Sequence, residues 1–180
     1  MDSQPQNKSE IIVNNDESDN YINISQISTG FIDVPNHTSL NIYVQGCKLN
    51  CVGCQNPQSI PFIGGTKIHF DQIIAAVSSY ELCDWVCWLG GDATYQPEQF
   101  KWVNVLIKQR YNKRICLYTG QSFENIQELL DDVDLVIDGP WMGIPITDKG
   151  TNQRIFLRTV HGWDRVDSWD TLKILFSEMG

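Results

Sequence analysis

The sequence predicts an α/β fold, a partial (βα) barrel of parallel strands with outer helices. Three observations carry that expectation. Compact apolar runs at 40–44, 85–89, 115–118 and 133–137 alternate with amphipathic helical segments, the pattern of successive βαβ units. The chain has 180 residues, and a full eightfold barrel takes roughly 250, so only part of one can form. Each of the four runs also ends in glycine or polar residues: Gly46-Cys47, Gly90-Gly91-Asp92, Thr119-Gly120 and Asp138-Gly139. In a parallel sheet these ends share one rim, and sites form at that rim.

In chain order, residues 1–20 carry five acids against one lysine and read as an acidic, disordered tail. A single domain is expected over 21–180. Tyr21-Ile22-Asn23-Ile24 and Phe31-Ile32-Asp33-Val34 both alternate and predict short strands, with a turn at Pro35-Asn36-His37 that leaves His37 solvated. The strand at 40–44 leads into a cysteine-rich loop, and Pro57 to Gly65 is connecting loop. Asp71 is positioned to cap a helix over 71–79, with His69 packing or capping beside it. Trp85-Val86-Cys87-Trp88-Leu89 is a buried strand, and Pro97 opens a helix over 97–111. After the 115–118 strand, Ser122 is positioned to cap a helix over 122–132. The 133–137 strand is followed by a long loop to about Gly150, a last strand over 153–157 and a C-terminal helix over 167–179.

Composition narrows the function. The net charge of −9 argues against nucleic acid as a partner, because phosphate contacts need clustered Lys and Arg. No apolar run is long enough to span a bilayer, and no basic-then-apolar leader opens the chain. Six cysteines without a regular framework point to a reducing, cytoplasmic setting.

Three of those cysteines, Cys47, Cys51 and Cys54, fall within eight residues as C-x3-C-x2-C, flanked by Gly46 and Gly53. Three thiols in one short loop suit a metal. Structural zinc uses four closed ligands, commonly two C-x2-C pairs; here a distant His69 or Cys116 would have to complete it. A [4Fe-4S] cube held by three cysteines keeps one iron open for chemistry. Cys83, Cys87 and Cys116 read as buried small hydrophobes. Trp141 and Met142, an apolar pair in a Gly- and Pro-rich loop, are a candidate docking surface. Arg154 has two candidate partners, an acid such as Asp138 or a cofactor carboxylate, with ordinary surface pairing as the alternative.

C-x3-C-x2-C after a strand resembles the cluster motif of the radical S-adenosylmethionine (radical SAM) enzymes. Gly90-Gly91-Asp92 resembles their Gly-Gly-Glu element. With Leu117-Tyr118-Thr119-Gly120, Val133 to Gly139 and Thr151-Asn152-Gln153-Arg154 in order over about 31–157, the chain resembles a small group of glycyl radical enzyme activases, the activating proteins of anaerobic ribonucleoside-triphosphate reductase. The resemblance implies a minimal radical SAM fold and a [4Fe-4S] cluster on Cys47, Cys51 and Cys54. It implies S-adenosyl-L-methionine along Gly53, Gln55, Gly90, Gly91, Asp92, Thr119 and Asp138, with Asp92 at its amino group. No catalytic side chain beyond the cluster ligands is implied. The implied reaction is reductive cleavage of S-adenosylmethionine and formation of a glycyl radical on the large reductase subunit. The electron would come from a flavodoxin- or ferredoxin-like donor.

Two departures stand out: Val34-Pro35-Asn36-His37-Thr38 replaces the group's Gly-rich segment with an Arg, and Ala93 replaces a Pro. Two alternatives stay open. One is a radical SAM enzyme acting on another glycyl radical enzyme, a peptide or a small molecule. The other is a non-enzymatic zinc-binding interaction module.

Overall fold

A computed structural model describes residues 20–178. The acidic tail, except for Asn20, lies outside them. Eight strands form one sheet in the order β3-β1-β2-β4-β5-β6-β7-β8. They are β1 (Tyr21–Gly30), β2 (Ser39–Val44), β3 (Thr66–His69), β4 (Trp85–Gly90), β5 (Arg114–Tyr118), β6 (Leu135–Asp138), β7 (Arg154–Thr159) and β8 (Gly162–Val166). The central four, β2, β4, β5 and β6, are parallel, as expected. The flanks are antiparallel: β1 pairs with β2 and β3, and β7 with β6 and β8.

The result is an open mixed sheet with β3 and β8 as edges, not a barrel made only of parallel strands. Connection lengths explain the difference. A parallel return needs a crossover of about a dozen or more residues, usually a helix. β7 and β8 are joined only by Val160-His161, and the 139–153 segment before β7 contains no helix.

Side chains alternate across the sheet. Val86 and Trp88 face α1 (Phe70–Ser79), α2 (Pro97–Arg110) and α3 (Phe123–Ile126), whose apolar stripes include Ile73, Val77, Phe100, Val103 and Ile126. Trp85 and Cys87 face the opposite way. There they meet Cys116, Leu135, Ile137 and α4 (Trp169–Glu178) through Trp169, Leu172 and Phe176. The sequence predicts outer helices throughout; α4 instead covers the other face of the sheet. Cys83, Cys87 and Cys116 are free and buried, as their reading as hydrophobes requires.

Several local expectations are corrected. Phe31-Ile32-Asp33-Val34 is not a strand. It bends, leaving Phe31 and Ile32 exposed while Val34 turns into the core, and Asn36 adopts a left-handed φ of 65°. His37 packs edge-on to Phe176 and sits 3.1 Å from Asp84 Oδ2. β3 and β8 went unforeseen because they are short, polar edge strands; Lys67, Asp164 and Arg165 are the kind of charges that protect an edge. The helix expected over 122–132 is one turn, Phe123–Ile126, followed by a 3₁₀ turn at Gln127–Leu129. Ser122 makes no capping hydrogen bond; the Phe123 N–H donates to Asp138 Oδ2 at 2.6 Å instead. At α1, His69 rather than Asp71 is the cap, its Nδ1 accepting from the Asp71 N–H.

One ion-pair network fastens the β6–β7 seam. Asp138 is fully buried and opposite Arg154 in register. The Arg154 Nε donates to Asp138 Oδ1 at 2.9 Å, and its two terminal nitrogens reach Glu124 Oε1 and Oε2 at 2.9 Å each. Arg154 thereby joins β6, β7 and α3. Its guanidinium holds the Glu124 carboxyl down at about 2, from an ordinary 4.5. A depressed folded value stabilises the fold above the unfolded value, so this contribution is lost as pH falls from about 4.5 to about 2.

The core and this network each generate an expected outcome. Trp88 Nε1 donates to Asn104 Oδ1 at 2.8 Å, both buried. Trp88→Phe strands that acceptor and opens space, so a denaturant titration should show a loss of about 2–4 kcal/mol. Arg154→Ala leaves Asp138 buried without its cation, at a cost of about 3–5 kcal/mol. In the same variant, an NMR pH titration should find Glu124 titrating near its ordinary 4.5; a value still near 2 would clear Arg154 of responsibility.

Candidate cluster and cofactor site

The parallel register brings the carboxyl ends of β2, β4, β5 and β6 to one rim. The cysteine loop leaves β2 there and is closed at its neck by its own bonds. The Gly46 N–H donates to Ser59 O at 2.8 Å and the Cys47 N–H to Ile60 O at 2.9 Å. The buried Gln45 side chain donates to Pro61 O at 2.6 Å and Gln58 O at 3.2 Å. Gln96 braces the same neck, donating to Gln45 O at 3.1 Å.

Glycines make the close approaches possible. A Cβ on Gly91 would lie 2.4 Å from Gly46 O, a distance no side chain tolerates. Gly53, at φ 66°, forms the tight turn in which the Cys54 N–H reaches Cys51 O at 3.2 Å.

Cys47, Cys51 and Cys54 line one cleft, together with the predicted Gln55, Gly90, Gly91 and Thr119. Backbone N–H groups point at two of the sulfurs: Leu49 to Cys47 Sγ and Asn56 to Cys54 Sγ, each at 3.4 Å. Burial pushes the Cys47 thiol up, against the Leu49 N–H, which favours its thiolate; Asp92 adds a smaller upward push. Among the described residues, no three His, Cys, Asp or Glu side chains converge to grip a single metal ion. In a cube, each cysteine takes a different iron, so its sulfurs need not meet at a point. Three thiols around one cleft, two with N–H donors, fit that donor set. The same comparison weakens the zinc reading: among the described residues, neither His69 nor Cys116 lines the cleft.

Three predicted residues lie outside the cleft wall. Gly53 is exposed, and a Cβ added to it would meet nothing within 4 Å. Asp138 is committed to Arg154 and the Phe123 N–H. Arg154 therefore takes the acid partner. Asp92 is 1% exposed and accepts four hydrogen bonds, from the Thr94 N–H and hydroxyl and from the Thr119 hydroxyl and Gly120 N–H. Burial pushes its pKa up from the ordinary carboxylate value, against those donors.

The cleft also contains residues that had no assigned place in a cofactor site: Asn50, Asn56, Tyr118, Trp141 and Gln153. Tyr118 and Gln153 stood inside motifs already singled out, beside Thr119 and Arg154. Trp141 was read as a docking residue; its place in the wall brings the 140–150 loop to the site, while Met142 is exposed.

Comparison with known proteins supplies the family. The pyruvate formate-lyase-activating enzyme of Clostridium pasteurianum is 25% identical over 115 residues, 61% of this chain and 48% of that protein. The chain thus spans about half the length of this curated relative. The crystal structure of QueE from Escherichia coli aligns at a TM-score of 0.41 and 10% identity, over 63% of this chain and 69% of that one. The model of the 4Fe-4S single cluster domain matches residues 37–166, most of the chain and every rim segment described above. The chain belongs to the 4Fe-4S single cluster domain family.

Proposed function

We propose that this protein is a radical SAM enzyme, and specifically an activase that generates a glycyl radical on an anaerobic ribonucleoside-triphosphate reductase. The observation that carries the reading is one cleft lined by Cys47, Cys51 and Cys54 together with Gly90, Gly91 and Thr119. The family match supports the cluster. The strand-end motifs and the Thr151-Asn152-Gln153-Arg154 segment support the reductase as target.

In this reading Cys47, Cys51 and Cys54 hold three irons of the cluster. The Leu49 and Asn56 N–H groups stabilise charge on two of the sulfurs. The glycine backbones at 90 and 91 admit S-adenosylmethionine closely, and Gln55 and Thr119 offer it polar partners. Trp141 and Leu89 contribute apolar surface to the cleft. When bound, the reduced cluster supplies the electron that breaks a carbon–sulfur bond of S-adenosylmethionine. A flavodoxin- or ferredoxin-like protein is the proposed electron donor, and the cytoplasm the proposed setting. No helix among the described residues is long and apolar enough to cross a membrane.

A second target is favoured by one observation. The curated relative is an activating enzyme for pyruvate formate-lyase, and this chain departs from the reductase activators at Ala93 and at 34–38. A different glycyl radical enzyme is therefore the competing partner.

Anaerobic reconstitution with iron and sulfide, followed by reduction, tests both levels. The wild-type protein should turn brown and release 5′-deoxyadenosine from S-adenosylmethionine. Cys47→Ala, Cys51→Ala and Cys54→Ala should each lose that cleavage, to below about a hundredth of the wild-type rate, and stoichiometric zinc without iron would overturn the assignment. Electron paramagnetic resonance after adding a reductase or a pyruvate formate-lyase then shows which partner acquires the glycyl radical.

A further inference from the structure

An acidic residue after a Gly-Gly pair at the rim is a natural partner for the amino group of S-adenosylmethionine. The surroundings of Asp92 argue for another role. A carboxylate offers about four lone-pair sites, and all four are taken. Oδ1 accepts from the Thr94 N–H at 3.1 Å and the Thr94 hydroxyl at 2.8 Å. Oδ2 accepts from the Thr119 hydroxyl at 2.8 Å and the Gly120 N–H at 3.0 Å. The side chain is buried and lies outside the cleft wall. An ammonium group arriving from the cleft would have to displace one of these donors and leave it unpaired, which is costly when the donor is buried.

The same residue touches every neighbouring strand end. Its own N–H donates to Gly46 O at 3.0 Å, on the cysteine loop after β2. Thr94 follows it after β4, and Thr119 and Gly120 follow β5. Its bonds thus join the ends of three parallel strands, and two of its immediate contacts, Thr119 and Gly120, line the cleft themselves.

We infer that Asp92 is a positioning residue. It locks the β2, β4 and β5 ends together behind the cleft and does not itself meet the ligand. The ammonium of S-adenosylmethionine is then left to other groups of the cleft. This second half rests on reading the cleft as an S-adenosylmethionine site; the lock does not.

Asp92→Asn keeps the shape, removes the charge and turns one acceptor into a donor. Amide hydrogen exchange on the protein without cluster or ligand tests the lock. The Thr94 or Gly120 amide should exchange at least tenfold faster in Asp92→Asn, with the β1–β2 ladder unchanged. Unchanged exchange at both amides overturns the lock. Thr119→Val is the milder variant should Asp92→Asn fail to fold: it removes one donor, keeps the carboxylate, and should speed exchange at Gly120 in the same way.

Calorimetric binding to the reconstituted protein tests the ligand half, using S-adenosylmethionine and its analogue lacking the α-amino group. Both should bind Asp92→Asn more weakly, with the wild-type ratio of affinities kept within twofold. A tenfold or greater fall in that ratio would place the carboxylate on the ammonium and overturn the inference. A wild-type protein that binds neither ligand defeats the cofactor reading and the ligand half with it, while the exchange experiment still decides the lock.

Discussion

Two backbones pressed together set the geometry of the rim. Gly91 lies so close to Gly46 that a methyl group there would sit 2.4 Å from the Gly46 oxygen. The Gly91 N–H donates to Val44 O at 2.8 Å and the Asp92 N–H to Gly46 O at 3.0 Å. β2 and β4 therefore stay in contact past the last residues of their ladder, and the cysteine loop starts directly against the end of β4. Gly120 makes room on the next strand for a side chain of the loop: a Cβ there would lie 2.2 Å from Leu49 Cδ1. The loop that carries the cysteines is seated on the two neighbouring strands because both present glycine to it.

The central architecture was legible because its signals are local. Trp85 to Leu89 has no charge to expose and can only be a buried strand; Pro97 marks the first turn of α2; the glycine-rich strand ends announce a rim. The flanks were less legible because their strands are defined by partners, not by composition. Thr66–His69 is a strand because β1 runs past it, and Gly162–Val166 because a two-residue turn returns it onto β7. Conversely, Phe31-Ile32-Asp33-Val34 alternates like a strand but has no neighbour to pair with, and it bends. The position of α4 depends on how the antiparallel flank brings the chain back, which no periodicity within the helix records.

The site divided in the same manner. Cys47, Cys51 and Cys54 were found from motif spacing, Gln55, Gly90, Gly91 and Thr119 from the resemblance to radical SAM motifs, and all seven share a cleft. Asp92 and Asp138 came from the same resemblance; Asp92 proves to accept four protein hydrogen bonds, and Asp138 is held by Arg154 and the Phe123 N–H. Sequence shows that an acid stands at a rim; it does not show how many N–H and hydroxyl groups reach it first. Gln153 comes from a segment remote in sequence and joins the cleft only through the antiparallel return of β7.

The closed neck of the cysteine loop has a consequence for how the protein is matured. Small zinc modules owe their fold to the metal and collapse when it is removed. Here Gly46, Cys47 and Gln45 tie the loop shut through main-chain and amide hydrogen bonds that involve no sulfur. The polypeptide can thus acquire its shape first and receive iron and sulfide afterwards. Loss of the inorganic part would leave these bonds, and the loop neck they close, in place.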